Sequence, residues 1–531
     1  MEAALRAGDM VRATQLAGEA AARGLEHPKL LTLAAYDQVS CGDDEKALAY
    51  ASRARELAPR DIDALNVLGA CLSRLNRHRE ALAAFDAALR QSPGATHIRF
   101  RKACAHEDLS ELSRARTEFE RVVSAEPNNA EALAQLANLA ALRGDAKAAR
   151  DFASRALKHD PRQQGAVLAL AMADIEGRIF DDAFARVTPL AADANTSPVN
   201  RAIAQSVVGD ALDGLGKSKD AFTAYTSSKA LLRVFYSPVY EAPDAEQAHA
   251  RVARLADYFS DADAASWQAH PEDRYASPVQ THVFLVGFPR SGTTLLEFVL
   301  DSHPGIQSME ERDCLAGAAG DFLASRESLD RLAALNGSAL APYREAYWKS
   351  AAEFGIVPAS PMFVDKLPLN SILLPLVAKL FPRAKILFAL RDPRDVVLSC
   401  FRRRFGMSAQ MFEFTMLEST ARYYDAVMAL AALYREKLAL QTHELRYEDL
   451  IANFDGTVGT VCEFLGVAPS AEMAKFAVRA ASRNIDTPSS AQVARGLFTQ
   501  GVGQWRRYAA ELSPVLPQLA PWLRRFGYSK D

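Results

Sequence analysis

Residues 287–294, Gly-Phe-Pro-Arg-Ser-Gly-Thr-Thr, have the residue types and the setting of an anion-binding loop. They follow an apolar run that begins at residue 283 and precede an apolar-periodic segment, which predicts a buried strand, a tight loop and a helix. Backbone N–H groups at a helix N-terminus bind anions, and the helix dipole strengthens that binding. Because Ser291, Thr293 and Thr294 add hydroxyl donors, we expect this loop to hold a phosphate-like group.

The loop has the spacing of a nucleotide-triphosphate P-loop but lacks its lysine, since Thr293 stands at that position. In a P-loop the lysine reaches the β- and γ-phosphates, and the next hydroxyl holds magnesium. A kinase-like hydrolysis of nucleotide triphosphates is therefore disfavoured, and Arg290 supplies a cation inside the loop instead. The alternative is a strand–helix turn that binds nothing, which the order of strand, loop and helix argues against.

A second unit of strand, polar loop and helix follows about 100 residues later, with a strand at 385–390 and a helix at 391–404. Arg391 stands at the strand end, Ser399 comes eight residues after it, and Arg403 lies one turn further on. An arginine fork can contact a phosphate in two places, so we expect a second anion site here. Two such units predict an α/β domain with a parallel sheet.

Together the two motifs resemble those of sulfotransferases, over roughly residues 280–528. The resemblance implies that the first loop holds the 5′-phosphosulfate and the second the 3′-phosphate of the donor 3′-phosphoadenosine 5′-phosphosulfate, with no metal. It implies these donor-binding residues: Pro289, Arg290, Ser291, Gly292, Thr293, Thr294, Arg391, Ser399, Arg403 and Tyr447. The segment 503–507 resembles the part of the family that closes over the 3′-phosphate, and either Arg506 or Arg507 could make that contact.

Sulfuryl transfer to a hydroxyl needs a base near the acceptor and positive charge near the leaving phosphate. Cytosolic small-molecule sulfotransferases place a histidine base in a Lys-Thr-His-Leu-Pro stretch. The corresponding segment here is residues 364–368, Val-Asp-Lys-Leu-Pro, and Lys366 stands where that histidine would be. That catalytic pattern is therefore broken, and another base is required.

The segments 289–296, 301–304 and 310–311 resemble those of the tyrosylprotein sulfotransferases. The resemblance implies Glu311 as the base and Lys366 as a catalytic lysine beside Arg290. It also implies a catalytic role for Ser489, sixteen residues before a tryptophan. One departure is Asp313 in place of the family's arginine, which leaves substrate contacts there open. Alternative readings are an exposed loop carboxylate for the glutamate and His303 as the base.

The first 230 residues show a different pattern, with prolines spaced 34 residues apart at 59, 93, 127 and 161. Small residues recur at fixed offsets before them: Ala47, Ala81, Ala115 and Ala149; Ala35, Gly69, Ala103 and Ala137; Ala54, Ala88, Val122 and Ala156. Small residues at such offsets let two helices touch closely, and proline ends the second helix. The pattern resembles the tetratricopeptide repeat and predicts a curved groove that binds a partner. A last, shifted repeat has Gly209, Gly216 and Ala221.

We therefore predict an α-solenoid of tetratricopeptide repeats at 1–235, a helical linker at 236–279 and an α/β sulfotransferase domain with a P-loop-like site at 280–531. Pro238 and Pro243 are expected to end the repeat helices. Residues 244–260 read as an amphipathic helix.

The composition of this 531-residue chain limits its expected partners and its expected cellular location. Its net charge of −3 argues against a general nucleic-acid binder. Six scattered cysteines without a CxxC pair favour a reducing compartment, and the absence of a signal peptide and of an 18-residue apolar run favours a location off the membrane. We expect a cytoplasmic protein.

The sequence thus predicts sulfuryl transfer to an acceptor hydroxyl, with protein tyrosine as the leading acceptor and the repeats recruiting that acceptor or a partner. A carbohydrate, lipid or small-molecule hydroxyl is the alternative acceptor. A repeat scaffold with a degenerate nucleotide-binding domain is the alternative function.

Overall fold

A computed structural model describes residues 1–109, 111–268, 275–482, 493, 496–497 and 501–529. The chain divides into two compact units, Met1–Gly177 and Arg178–Asp531. No helix in the described parts of the chain combines the length and the apolar character needed to cross a lipid bilayer.

The first unit is built from helices that pack against their neighbours along the chain. Their bounds are α1 (Glu2–Arg6), α2 (Met10–Ala22), α3 (Pro28–Cys41), α4 (Asp44–Leu57), α5 (Ile62–Arg74), α6 (His78–Gln91), α7 (Thr96–Asp108), α8 (Leu112–Ala125), α9 (Ala130–Leu142), α10 (Ala146–His159) and α11 (Gln164–Glu176).

The proline spacing marks helix ends as predicted. Pro59, Pro93, Pro127 and Pro161 each come two residues after the second helix of a pair, namely after α4, α6, α8 and α10. The alanines and the valine at the repeat offsets are fully buried between helices. The predicted helical repeat array is therefore confirmed in this unit.

In two helix pairs the small residue makes room for an aromatic ring on the paired helix. A Cβ atom on Gly69 would lie 2.4 Å from the ring of Phe85, which no real contact permits. The second unit contains the same arrangement, because a Cβ atom on Gly209 would lie 2.5 Å from the ring of Tyr225. In both pairs the ring comes sixteen residues after the glycine.

The second unit begins with helices and continues into a sheet. The helices before the sheet are α12 (Phe180–Ala192), α13 (Pro198–Gly214), α14 (Ser218–Tyr240) and α15 (Ala248–Asp261). The strands are β1 (Thr281–Gly287), β2 (Ile306–Met309), β3 (Met362–Lys366), β4 (Lys385–Leu390) and β5 (Gln441–Arg446). The remaining helices are α16 (Thr293–Asp301), α17 (Ala316–Phe322), α18 (Arg326–Ala334), α19 (Ala341–Glu353), α20 (Leu374–Leu380), α21 (Pro393–Arg402), α22 (Ala409–Phe412), α23 (Leu417–Lys437), α24 (Tyr447–Ala452), α25 (Phe454–Leu465), α26 (Phe476–Ser482), α27 (Ala509–Leu512) and α28 (Leu516–Arg525).

All strand pairs of the five-stranded sheet are parallel, and their order is β2-β3-β1-β4-β5. The central strand β1 and its neighbour β4 are buried and largely apolar, as their sequences predict, and β3 is buried but ends in Asp365 and Lys366. Because parallel strands end at one edge of a sheet, Gly287, Lys366 and the residue after Leu390 meet there. The predicted α/β domain with a parallel sheet is confirmed.

One boundary expectation is wrong, because α14 continues through Pro238 to Tyr240. Proline cannot donate a backbone hydrogen bond to the carbonyl four residues earlier. The Ser237 hydroxyl donates to that carbonyl, of Val234, at 3.3 Å instead. This substitute donor and the position in the last turn let the helix absorb the proline.

Helices α13 and α14 belong to the same compact unit as the sheet. Phe222 of α14 packs on Phe401 of α21, with ring centroids 5.4 Å apart, and on Tyr508 at 6.3 Å. The predicted domain boundary at residue 235 therefore falls inside this unit, at the exposed end of α14.

We expect a fragment that begins at Arg178 to be soluble and to unfold cooperatively, because it keeps α13 and α14 on the sheet domain. A fragment that begins at residue 236 should aggregate, because it exposes Phe401 and Tyr508. Thermal unfolding and size-exclusion chromatography of both fragments check this. Equal behaviour of the two fragments would contradict it.

Candidate active site

A cavity opens at the carboxyl edge of the sheet, where the two predicted anion loops meet. Its lining comprises Pro289, Arg290, Gly292, Thr293, Thr294, Leu295, Glu311, Leu367, Pro368, Leu369, Arg391, Ser399, Arg403, Phe405, Met411, Tyr447, Val493, Gly496, Gly501 and Gln504. The structure thus brings together all the predicted donor-binding residues except Ser291. That serine is buried, and its N–H donates to the carbonyl of Phe288 at 3.2 Å.

The first loop has a strained backbone that its neighbours hold in place. Arg290 has a φ of 71°, in the left-handed region that residues with a side chain rarely adopt. Its carbonyl accepts a hydrogen bond from Nη1 of Arg391 at 3.0 Å. Its own Nε donates to Oγ of Ser399 at 3.1 Å. The two loops therefore fix each other.

Gly292 ends this loop and begins α16 without a side-chain cap. Its φ is 95°, and a Cβ atom would lie 2.6 Å from the ring of Tyr447, so both conformation and space require glycine. The first N–H groups of α16 have no intrahelical acceptor, as in every α-helix. Thr293 and Thr294 of this first turn line the cavity, an arrangement that is suited to binding an anion.

Three arginines converge on the cavity. Burial, followed by the charges of Arg403 and Arg391, lowers the pKa of Arg290 to about 9. Within the described part of the chain, the Nε atoms of Arg391 and Arg403 are buried and lack a hydrogen-bond acceptor. Buried donors without acceptors are costly, so an anion that accepts from them would stabilise the site.

The ring of Tyr447 and the segment after residue 500 frame Arg391. The guanidinium of Arg391 lies 5.0 Å from the Tyr447 ring centroid, and its Nη2 donates to the carbonyl of Gly501. Asp395 accepts from the N–H groups of Gly503 at 2.7 Å and Trp505 at 2.8 Å. These contacts place Gly501 and Gln504 in the cavity wall.

The two arginines that follow are placed differently from Gln504. The guanidinium of Arg507 pairs with Asp213, with Nη1 2.8 Å from Oδ1. That of Arg506 lies 5.1 Å from the ring of Trp505. Both residues are exposed and absent from the cavity lining. From residues 503–507, the cavity lining includes Gln504 and neither of the two arginines.

Lys366 lies between two carboxylates and has no exposed side-chain surface. Its Nζ is 3.1 Å from Oε2 of Glu297 and 2.8 Å from Oε1 of Glu311. Burial lowers the pKa of Lys366, but the charges of the two glutamates outweigh burial and raise it above its usual value. The lysine therefore stays charged and holds Glu311, whose side chain is 38% exposed at the cavity.

Sequence reasoning missed Glu297. It is fully buried in α16, and its Oε1 accepts from the hydroxyl of Ser308 at 3.1 Å. The signal was present, because Glu297 is a lone carboxylate within the apolar stretch Leu-Leu-Glu-Phe-Val-Leu. A buried carboxylate needs a partner, and Lys366 is that partner.

The other proposed base, His303, serves a turn. Its Nδ1 accepts from the N–H of Gly305 at 3.0 Å, and its Nε2 donates to the carbonyl of Ala468 at 3.1 Å. It is absent from the cavity lining. Ser489, the third residue predicted to be catalytic, lies outside the described residues.

Comparisons with known proteins agree with both halves of the sequence analysis. Residues 32–96 and 100–165 match a tetratricopeptide-repeat family model. Residues 282–471 match the model described as "Sulfotransferase family". A tetratricopeptide repeat protein of known structure from Parabacteroides merdae has 19% identity and a TM-score of 0.34, over 40% of this chain and 87% of that chain.

Curated relatives are distant. An uncharacterized protein of Aquifex aeolicus is 25% identical over 246 residues, which are 45% of this chain and 32% of that protein. The chain thus spans about a third of that relative's length. A putative protein-tyrosine sulfotransferase of Caenorhabditis briggsae is 23% identical over 262 residues, which are 46% of this chain and 88% of the relative. The chain therefore carries tetratricopeptide repeats over residues 32–165 and a sulfotransferase domain over residues 282–471.

Proposed function

We propose that this protein moves a sulfuryl group from 3′-phosphoadenosine 5′-phosphosulfate to the hydroxyl of a tyrosine in a protein or peptide. The observation that carries the donor assignment is the pair of buried Nε donors of Arg391 and Arg403 that lack an acceptor beside the first anion loop. In this proposal residues 289–294 bind the phosphosulfate, and Arg391, Ser399 and Arg403 bind the 3′-phosphate.

Glu311 is the proposed general base. Its carboxylate is exposed to the cavity, whereas Lys366 and Glu297 lie behind it. As the acceptor oxygen forms its bond to sulfur, its proton passes to Glu311. The bond between sulfur and the phosphate oxygen breaks, and adenosine 3′,5′-bisphosphate leaves. Arg290 and the N-terminus of α16 stabilise the charge that develops on that oxygen.

Lys366 contacts no open part of the cavity, so its proposed role is to hold Glu311. Removing Lys366 would leave its buried partner Glu297 with an uncompensated charge. Ser489 keeps its proposed catalytic role by resemblance alone.

Apolar side chains in the cavity that Glu311 lines support an aromatic acceptor. Leu367, Leu369, Phe405 and Met411 line the cavity together with this carboxylate. A flat phenol ring fits such a wall, and its hydroxyl, with a pKa near 10, benefits from a nearby general base at neutral pH. The tetratricopeptide repeats suit recruitment of a protein acceptor or partner.

We expect adenosine 3′,5′-bisphosphate to stabilise the protein, since it carries phosphates for both anion loops. At 100 times its dissociation constant the gain should be about 2.7 kcal/mol. ATP should stabilise the protein less, because it has no 3′-phosphate for Arg391. Thermal unfolding with each nucleotide measures this, and equal shifts would contradict the assignment of the second loop.

The Glu311→Gln variant should keep its affinity for adenosine 3′,5′-bisphosphate and lose turnover by roughly 100-fold or more, as expected when a general base is removed. The matched control is Glu345→Gln, because this glutamate is exposed and absent from the cavity lining. Calorimetric binding and a labelled-donor assay separate the two effects. Full activity of Glu311→Gln would assign the base elsewhere.

The acceptor is tested with labelled donor and acidic tyrosine peptides, against the same peptides with phenylalanine in place of tyrosine. We expect label on the tyrosine peptides only, because the phenylalanine versions lack the hydroxyl. Label on a glycan, lipid or small phenol with none on the peptides would overturn the tyrosine assignment and leave sulfuryl transfer standing.

A further inference from the structure

Helices α13 and α14 contact the short arginine segment that enters the proposed donor site. Nη1 of Arg404 lies 3.0 Å from Oγ of Ser206 and 3.1 Å from Oδ2 of Asp210, both in α13. Nη1 of Arg402 lies 3.5 Å from Oδ2 of Asp213 in the same helix. The two arginines that flank Arg403 are thus both held by α13.

The backbone between them is fixed by α14. The buried Lys229 donates from Nζ to the carbonyl of Arg403 at 2.8 Å. Arg403 is extended, with φ −79° and ψ 150°. The side chains of Arg402 and Arg404 contact aspartates of α13, whereas that of Arg403 is part of the cavity lining.

The carboxylates that hold this segment are themselves held. Asp210 accepts from the hydroxyl of Tyr225 at 2.9 Å, and Asp213 accepts from that of Tyr508 at 2.6 Å. The side chains of Asp210 and Asp213 are 21% and 14% exposed, so solvent screens them only in part. Their geometry is set before any ligand binds.

Charge makes the arrangement necessary. Burial, followed by the charge of Arg402, lowers the pKa of Arg403, whereas Asp210 opposes that shift. Three consecutive guanidinium groups repel one another unless carboxylates offset two of them. Asp210 offsets Arg404, and Asp213 offsets Arg402 while it also pairs with the exposed Arg507. This leaves the charge of Arg403 for a ligand.

We propose that Asp210, Asp213 and Lys229 are positioning residues for Arg403, so that the helix pair α13–α14 sets the affinity of the donor site. This inference rests on the proposed function, in which Arg403 binds the 3′-phosphate. The sequence places α13 and α14 in a partner-binding repeat array. The inference gives this helix pair a part in binding the donor.

The test is a mutant cycle in the full-length protein, read as the dissociation constant of adenosine 3′,5′-bisphosphate by calorimetry. The double variant Asp210→Asn, Asp213→Asn keeps side-chain size and should bind about 5- to 20-fold more weakly, within the usual range for coupled neighbours. The matched control is Asp220→Asn, an exposed carboxylate in the first turn of α14. It should bind as the wild type does.

The cycle separates positioning from general disturbance. In an Arg403→Ala background the two asparagine substitutions should change the dissociation constant by less than about twofold, because the side chain they position is gone. A full additive loss in that background, or no loss in the wild-type background, would overturn the inference.

Lys229→Met provides a second, independent variant, with the same expected loss and the same dependence on Arg403. It decides the matter if the double variant does not fold, as judged by thermal unfolding. Failure of the wild type to bind adenosine 3′,5′-bisphosphate would overturn the proposed function and this inference with it. Wild-type binding with unaffected variants would overturn this inference alone.

Discussion

Repulsion between guanidinium groups is the constraint on which the site depends. Arg290, Arg391 and Arg403 line one cavity, and burial weakens the screening of their charges. Such a cluster persists only where surrounding contacts hold each group. Arg290 is held in a left-handed conformation by Ser399 and Arg391, and Arg403 lies in a segment held by helices that precede the sheet.

The parallel sheet satisfies this constraint because it brings segments that are distant in sequence to one edge. The first loop leaves β1, the second leaves β4, and Lys366 ends β3, all at the carboxyl side. Arg290 reaches the cavity from the loop after β1, and Arg391 and Arg403 reach it from either side of α21, so the repulsion falls on several anchored elements. A negative ligand that spans both loops relieves it, whereas a neutral one does not.

Prediction from sequence succeeded where the chemistry of a residue determines the local backbone conformation. The prolines report helix ends because their rings forbid continuation. The loop around Gly292 can be recognised in the sequence by its glycine and its hydroxyl residues. Pro238 misled because a neighbouring serine satisfied the carbonyl that proline leaves open. Local sequence patterns therefore identify a helix-breaking residue more reliably than they identify the residue at which the helix ends.

Contacts between residues that are far apart in sequence were harder to predict from local patterns. The pairing of Glu297 with Lys366 joins residues 69 positions apart, and that of Asp210 with Arg404 joins residues 194 positions apart. A buried carboxylate in an apolar helix signals that a cation must exist, but only the packing of α16 on the sheet says which one. Nothing in the spacing of α13 connects its aspartates to the arginine segment.

The glycine–aromatic contact between α13 and α14 has a consequence for how repeats can be exchanged. Sixteen residues after their small residue, earlier repeats carry Ala51, Phe85, Phe119 or Ala153, so ring and methyl are interchangeable there. At the corresponding place Tyr225 fills the space above Gly209 and also donates to Asp210. Neither phenylalanine nor alanine could do both. Earlier repeats can exchange this residue without loss of another contact, whereas in the last pair one hydroxyl group also holds the aspartate that contacts Arg404.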